Sequence, residues 1–412
     1  MNFEKVSASI NTDTDVSIFK AEDFKIVKYS KLDTIYPQLK LGYNIYLTYI
    51  KNELDKQPYA DKLKRHEKYK HLPNAFEHKI QVKKDDFQDI LSQFIKKLDL
   101  KQKIASRSFF KMWEMLNDYN LINLEKNNLI TFHMAEAPGG FIQSTIIYND
   151  KYHKNPNSSK FYTISIENEH KYISDLNTLY GNKDNQRYFQ FKTNSKMNGD
   201  LTNIENIKML KKNFTGKNRP HLITADGGFD PQFEEAHEQE SFVLIFGEIL
   251  TAICTQQKGG NFVCKFIDCY TELSIKLIYI ICCFYDEVHI EKPYLSRQSN
   301  SERYIIAKNF KYEETNKEYI NNLDILIEIY TNIVSKFNNK FNIISIFSNI
   351  EFNNLFISKI AEINCKIGVN QINCITNRIK YFKLANLISK EFSEYSNIQK
   401  EATNFWINKY VK

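Results

Sequence analysis

The sequence predicts an α/β sandwich built on a mainly parallel sheet, and three observations carry that prediction. Runs rich in β-branched and aromatic residues alternate with helical patterns through the middle of the chain, an order that gives a parallel sheet covered by helices. The stretch "MAEAPGGFIQ" sets Pro138, Gly139 and Gly140 directly after one such run. Proline cannot donate to a ladder and glycine tolerates positive φ, so the strand breaks there and bare backbone can approach a ligand. A second break, Asp226-Gly227-Gly228, closes the run in "HLITADGGFD". Ligands on such sheets bind at the carboxyl ends of the strands, where both breaks fall.

Taken in order, residues 1–85 are polar with uneven periodicity and read as a separate N-terminal extension. Their basic run "KLKRHEKYK", Lys62 to Lys70, reads either as a phosphate-tracking surface or as a solvated helical face. From Asp86 the pattern "FQDILSQFIKKLDL" predicts a helix, and "KIASRSFFKMWEMLNDYNLI" predicts a second. Strands are then expected over 129–134, 161–166, 188–191, 222–225, 261–267, 287–290 and 303–307. Helices fill the gaps, most clearly "FVLIFGEILTAICTQQ", which stops before Gly259-Gly260 as a helix should. A core domain over 86–312 and a mainly helical C-terminal region over 313–412 follow. In that last region Trp406 is either a plane for stacking a base or the anchor of a terminal helix.

Composition narrows the class. With 412 residues, 42% hydrophobic and 14% aromatic, there is material for more than one domain. The longest apolar run, Leu277 to Tyr285, is too short to span a bilayer. The first residues lack a signal-peptide layout, so an intracellular chain with no membrane partner is expected. The seven cysteines, Cys254, Cys264, Cys282 and Cys283 among them, sit among apolar neighbours with no CxxC pair. They read as reduced core thiols rather than disulfides or a zinc site. His66, His71 and His78 lie in a charged segment and read as solvated, so no metal is expected. The net charge of +7 permits an anionic partner.

Two charged residues stand out. Lys265 sits inside the strand "NFVCKFI" between Cys264 and Phe266. An ammonium there is costly unless it is paired or functional, the alternative being a solvated strand face. Glu302 stands at the entrance to the last strand beside Arg297 and Arg303, and taken singly reads as an ordinary surface carboxylate. The turn at 137–141 lacks the third glycine of GxGxxG, so a dinucleotide fold is not favoured, and a connection without a ligand stays open.

Together the segments "SRSFFKMWEML", "AEAPGGF", "TADGGFD", "GGNFVCKFID" and "SRQSNSERYIIAK" resemble the successive motifs of the FtsJ-like (RrmJ-type) 2′-O-ribose methyltransferases. Within that family, "ADGGFD" and "SRQSNSERY" are most similar to the eukaryotic and viral cap-specific mRNA enzymes. The likeness runs from about residue 99 to 312. The chain departs from the pattern at "HMAEA", where cellular relatives often carry an aspartate at the strand end and Glu136 stands instead. The resemblance implies a Rossmann-like S-adenosylmethionine-dependent methyltransferase sandwich with seven strands. It puts the family's Lys-Asp-Lys-Glu tetrad on Lys111, Asp226, Lys265 and Glu302. It further implies cofactor contacts from Ser106, Glu136, Ala137, Pro138, Gly139, Gly140 and Phe141, from Glu167 to the ribose, from Asp200 to the adenine amine, and from Asp226. Ser296 and Arg297 would line the RNA path.

The implied reaction moves an activated methyl group to the 2′-hydroxyl of the first transcribed nucleotide of capped mRNA. The alternatives are a ribosomal or transfer RNA enzyme, or a non-catalytic RNA-binding subunit on the same fold. Such a protein would work with other capping or transcription components, in the cytoplasm before the nucleus, or in a host's cytoplasm or virion. Richness in Asn, Ile, Lys and Tyr suggests an AT-rich genome such as that of a large DNA virus. Lys265 would be the base. A free lysine titrates at about 10.4, so Lys111 and desolvation must pull that value down against Asp226 and Glu302.

Overall fold

Strand residues alternate strictly between two apolar layers, which sets the architecture. A computed structural model describes residues 3–10, 28–30, 42–55, 74–76, 89–166, 187–191, 198–228, 237–338, 342–347, 352–383 and 388–411. The basic run at 62–70, His66, His71, His78 and Glu167 lie outside the described residues. Along the chain come β1 (Val6–Ser9), β2 (Lys28–Ser30), α1 (Gly42–Asp55), α2 (Ile90–Leu98), α3 (Ser108–Tyr119), β3 (Ile130–Met134) and α4 (Gly140–Tyr152). These are followed by β4 (Lys160–Ile164), β5 (Tyr188–Gln190), α5 (Ile204–Asn213), β6 (Leu222–Ala225), α6 (His237–Thr255), β7 (Asn261–Phe266) and α7 (Glu272–Phe284). The last elements are β8 (Tyr285–Lys292), β9 (Arg303–Phe310), α8 (Lys317–Asn338), β10 (Asn342–Ser345), α9 (Asn354–Lys383) and α10 (Ile388–Tyr410).

The main sheet runs β1-β8-β9-β7-β6-β3-β4-β5. Strands β5, β4, β3, β6 and β7 are parallel, whereas β9, β8 and β1 join antiparallel. All seven expected strands are present, and the sheet has an eighth. Strand β1, from the region expected to stand apart, pairs with β8 in the register Val6 to Lys292. Its four residues, VSAS, are too few for their alternation to mark a strand. A small second sheet pairs β10 with β2.

Leu222, Val263, Tyr304 and Ile306 face a layer formed with α2, α3, α4 and α10. Ile223, Ala225, Phe262, Cys264, Ile305 and Ala307 face the opposite layer with α5 to α9. Both faces are therefore covered, as a parallel sheet requires. The long apolar run lies mostly in the buried helix α7, and no helix among the described residues is long and apolar enough to cross a membrane. Trp406 is fully buried, packs against Phe94 and Phe110, and donates its indole N–H to Glu114 Oε1 at 3.1 Å. Of its two readings, the anchor of a terminal helix is the one the structure supports.

One charge cluster ties distant parts of the chain together. The Lys5 ammonium lies 3.0 Å from Glu114 and 2.6 Å from Asp118, both on α3, and 2.8 Å from Glu291 on β8. It also lies 5.0 Å from the ring centroid of Tyr294 and 5.5 Å from that of Tyr410. Glu114 in turn accepts the backbone N–H groups of Tyr294 at 2.8 Å and Leu295 at 3.0 Å. One helix is thereby fastened to the edge strand, to the loop after β8 and to α10.

Candidate active site

The order of the sheet reverses between β3 and β6: the chain runs outward through β4 and β5, then returns to β6 on the other side of β3. Such switch points leave a crevice at the carboxyl ends of the strands, and the two glycine breaks both fall there. After β3 the Ala137–Pro138 peptide is cis and Gly139 has φ of 103°, a conformation that admits glycine with little strain. Helix α4 then starts. The Ala137 N–H donates to Ser165 Oγ at 2.9 Å, which ties the turn to the end of β4. Gly199, also at positive φ, packs so closely on Ser165 and Ile166 that a Cβ would overlap the Ser165 carbonyl, and Ile166 is 47% exposed beside it.

Gly140 has a reason that sequence reasoning did not supply. A Cβ on it would overlap the Ser106 and Ser108 hydroxyls and come within 2.8 Å of the Phe109 nitrogen. Its missing side chain makes room for the start of α3. Those two hydroxyls are hydrogen-bonded to each other at 2.5 Å, so Ser106 does reach the glycine turn. Glu136 is buried and its Oε1 accepts the Ile142 N–H at 2.9 Å. Burial, with Asp226 adding to it, holds this carboxyl well above its ordinary range. Its Oε2 is buried and makes no hydrogen bond among the described residues. Asp200 uses Oδ1 within its own loop, accepting from Thr202 N at 2.8 Å and Thr202 Oγ1 at 2.7 Å.

The four charged residues singled out from sequence converge at this edge as two ion pairs. Lys111 on α3 donates to both Glu302 oxygens, at 2.7 and 2.9 Å. Lys265 on β7 lies 3.1 Å from Asp226 Oδ1 and donates to the Asp226 carbonyl at 2.8 Å. Strand parity explains the convergence: Lys265 shares the face of Val263, the face on which α3 packs, and is the cross-strand partner of Tyr304. Tyr304, which sequence reasoning quoted without a role, joins the pairs. Lys111 donates to its hydroxyl at 3.4 Å, and that hydroxyl donates to Asp226 Oδ1 at 3.1 Å. Its ring lies 5.7 Å from that of Phe141, so it also touches the glycine turn.

Two further groups were not visible in the sequence pattern. Lys292, at the end of β8, is 1% exposed and donates to Ser296 Oγ at 3.1 Å, Asn300 O at 3.0 Å, Asn300 Oδ1 at 2.9 Å and Glu302 O at 2.7 Å. The loop 293–302 is folded round this ammonium, and Ser296 Oγ donates onward to Glu302 Oε1 at 2.8 Å. Burial pulls Lys292 down to about 7, although Glu302 opposes it. The second group is Glu248 on α6, fully buried, which accepts the Gly227 N–H at 3.1 Å.

The electrostatics of Lys265 run against one sequence expectation. Burial does lower its pKa, but Asp226, Glu302 and Glu248 outweigh burial and hold it above the ordinary lysine value. Lys111, expected to lower it, is turned onto Glu302 instead. Glu302 is held below the usual carboxylate range because Lys111, Lys265 and Lys292 overcome the effect of its burial.

Burial raises Glu248 from 4.5 to about 8, with Lys265 opposing and Asp226 adding. Between about 4.5 and 8 the unfolded chain therefore binds fewer protons at this group than the folded one, so its contribution to stability falls as pH rises through that window. Glu248→Gln should make the decline in urea-unfolding free energy from pH 5 to pH 8 visibly shallower. A variant slope as steep as the parent's would exclude Glu248 as a neutral acid.

Residues 104–310 match the family model described as FtsJ-like methyltransferase. Among curated relatives, an African swine fever virus protein named "Probable methyltransferase EP424R" is 34% identical over 216 residues, 50% of this chain and 49% of that one. The mouse protein named "Cap-specific mRNA (nucleoside-2'-O-)-methyltransferase 2" is 31% identical over 221 residues, 51% of this chain and 28% of its own length. A Caenorhabditis briggsae protein named "Inactive cap-specific mRNA (nucleoside-2'-O-)-methyltransferase 1B" is 34% identical over 155 residues, 36% of this chain and 18% of its own. The matched stretch thus spans about half of the viral relative and under a third of the mouse one.

Proposed function

Because the chain belongs to the FtsJ-like methyltransferase family, we propose that it transfers a methyl group from S-adenosylmethionine to a ribose 2′-hydroxyl of capped mRNA, that of the first transcribed nucleotide. The observation that carries this reading is the pair of lysine–carboxylate bridges, Lys111–Glu302 and Lys265–Asp226, joined through Tyr304 beside the glycine turn. A degenerate, non-catalytic relative would be expected to have lost one of these groups. Names of relatives alone do not separate the two cases, since a relative named as inactive and one not so named are alike in identity to this chain.

The residues at the crevice fit the cofactor. The buried, unpartnered Glu136 Oε2 offers a polar group, and the Ala137–Phe141 turn with Gly139 offers close-approaching backbone. The exposed Ile166 beside Gly199 offers an apolar face of the kind that suits an adenine. Asp200, Asp226 and Ser106 stand around them. When bound, S-adenosylmethionine supplies a methyl carbon already activated by its sulfonium. The protein then has to hold the 2′-hydroxyl in line and take its proton. In this reading Lys265 is the base, and Asp226 orients it through both its carboxylate and its carbonyl. Lys111 and Tyr304 keep Glu302 and Asp226 in register, and Ser296 and Arg297 lie beside the RNA. The unit proposed to do this is 86–312 completed by β1 and α10.

Incubation with radiolabelled cofactor and matched RNAs tests it. Capped RNA should be methylated; the same RNA with only its first transcribed ribose replaced by the 2′-deoxy form should not, because the acceptor hydroxyl is gone. If the deoxy RNA or an uncapped RNA serves equally well, the cap assignment gives way to an internal-RNA enzyme.

A further inference from the structure

We propose that Lys292 is a positioning residue of the methyl transfer: it fixes where the Glu302 carboxylate stands against Lys111, without itself touching cofactor, RNA or a reacting atom. This rests on the RNA reading above and adds a residue outside the motifs that supplied the four charged groups.

Strand parity makes a lysine unexpected at this place. Val288 and Ile290 belong to one apolar layer, and Lys292 is the next residue on their face of β8. Continuing the row calls for another apolar side chain. Strand β8 lies between β1 and β9, and Lys292 is paired with Val6, so its stem leaves from fixed backbone. Burying an ammonium is costly, and a hydrophobic residue of similar volume is often as stable or more so. Packing alone does not account for the lysine.

What the ammonium holds does account for it. The four acceptors described above all belong to the loop 293–302, and two of the contacts reach Glu302 by separate routes. One grips the Glu302 carbonyl at 2.7 Å. The other passes through Ser296, whose Oγ accepts from Lys292 at 3.1 Å and donates to Glu302 Oε1 at 2.8 Å. That same oxygen accepts from Lys111 at 2.7 Å. Backbone and carboxylate of Glu302 are thus set from one buried group, and Lys111 is set by Glu302 beside Tyr304 and Asp226. The loop also has a support that bypasses Glu302: Gln371 on α9 donates to the Ser299 carbonyl at 3.1 Å.

The test follows single-turnover transfer at saturating RNA in the full chain for the parent, Lys292→Met, Glu302→Gln and the double variant. Methionine keeps much of the stem and restores the apolar row while removing the donors. Transfer by Lys292→Met should fall roughly ten- to a hundredfold, the scale set by a misplacement of about 1 Å. Affinity for S-adenosylmethionine and the half-saturating RNA concentration should stay as in the parent. In the Glu302→Gln background the same change should cost less than about twofold, because effects that pass through one group do not add. Ser296→Ala cuts only the relay and should cost roughly fivefold, the worth of one hydrogen bond, again only where Glu302 is intact. Gln371→Ala loosens the loop at Ser299 and should leave the rate close to the parent's, a contrast that decides alone if Glu302→Gln is too slow to follow.

A rate for Lys292→Met within about twofold of the parent's would overturn the role, since Glu302 would then be held without it. Equal losses with and without the Glu302 carboxylate would mean that Lys292 only stabilises the fold. A loss that vanishes as RNA is raised would place its effect on RNA binding, and an equal loss in Gln371→Ala would mean that any loosening of the loop suffices. If Lys292→Met shows no cooperative melting, Ser296→Ala decides, and transfer at the parent's rate in that variant overturns the role. Failure of the underlying reading looks different: the parent itself transfers no methyl group to capped or uncapped RNA, and the role falls with it.

Discussion

Lys265→Met should abolish methyl transfer while leaving the cofactor bound. Methionine keeps much of the length and bulk of the lysine stem in a strand that is otherwise apolar, so packing is little disturbed. What is lost is the amine that grips Asp226 and, in the proposed mechanism, accepts the 2′-hydroxyl proton. A positioned general base contributes about 10²–10⁴-fold, and single-turnover transfer should fall by that factor with calorimetric affinity for S-adenosylmethionine retained. Lys258→Ala, at an exposed pair with Glu313, should behave as the parent. A residual rate within about tenfold of the parent is too small a loss for a missing base. The raised pKa of Lys265 adds a pH signature. Its ammonium must lose a proton before it can act, so the parent's rate should climb with pH through neutrality, and the residual rate of the variant should not.

Lys5→Met should be among the most destabilising single changes in the protein. The ammonium sits among Glu114, Asp118 and Glu291, and Glu114 and Glu291 are almost wholly buried. Removing one partner of a buried ion pair typically costs about 3–5 kcal/mol, because a charge is left uncompensated. Burial already raises Glu114 and Lys5 opposes that shift, so without Lys5 the carboxyl can take up a proton and recover part of the loss. Urea unfolding should show a midpoint far below the parent's, with the deficit smaller at pH 5 than at pH 8. A change under about 1 kcal/mol, the size of a surface pair, would mean that the cluster is solvated and the N-terminal strand dispensable.

The parts of this molecule legible in the sequence are those with a local signature. The seven strands from β3 to β9 carry runs rich in β-branched or aromatic residues, several of them closed by glycine or acidic breaks, and each lies within a few residues of its expected place. Strand β1 carries no such mark, because four residues with alternating polar side chains look like any coil until β8 lies alongside. The four charged residues of the site were readable from their motifs, but their pairing was not. Which lysine meets which carboxylate is set by how α3 docks and by the β7–β9 register that brings Lys265 opposite Tyr304. The protonation of Lys265 was out of reach for the same reason, since Glu248 comes from a helix that no motif connects to it. Gly140 was legible as a special position, but the packing that requires it was not: the atoms that exclude its Cβ belong to Ser106, Ser108 and Phe109, more than thirty residues upstream.

The cluster round Lys5 also has a consequence in time. Helix α3 carries Lys111, yet its partners include residue 5 and, through Trp113 Nε1 to the Tyr410 carbonyl at 2.9 Å and Tyr410 OH to Asp118 at 2.8 Å, residue 410. A nascent chain emerges from the ribosome in order, so the glycine turn and the parallel strands can assemble well before residue 410 is free. Until then α3 has a lysine waiting in an acidic nest that lacks its last aromatic wall. Catalytic competence should therefore appear late and abruptly during synthesis, once α10 has emerged, rather than growing as each motif is translated.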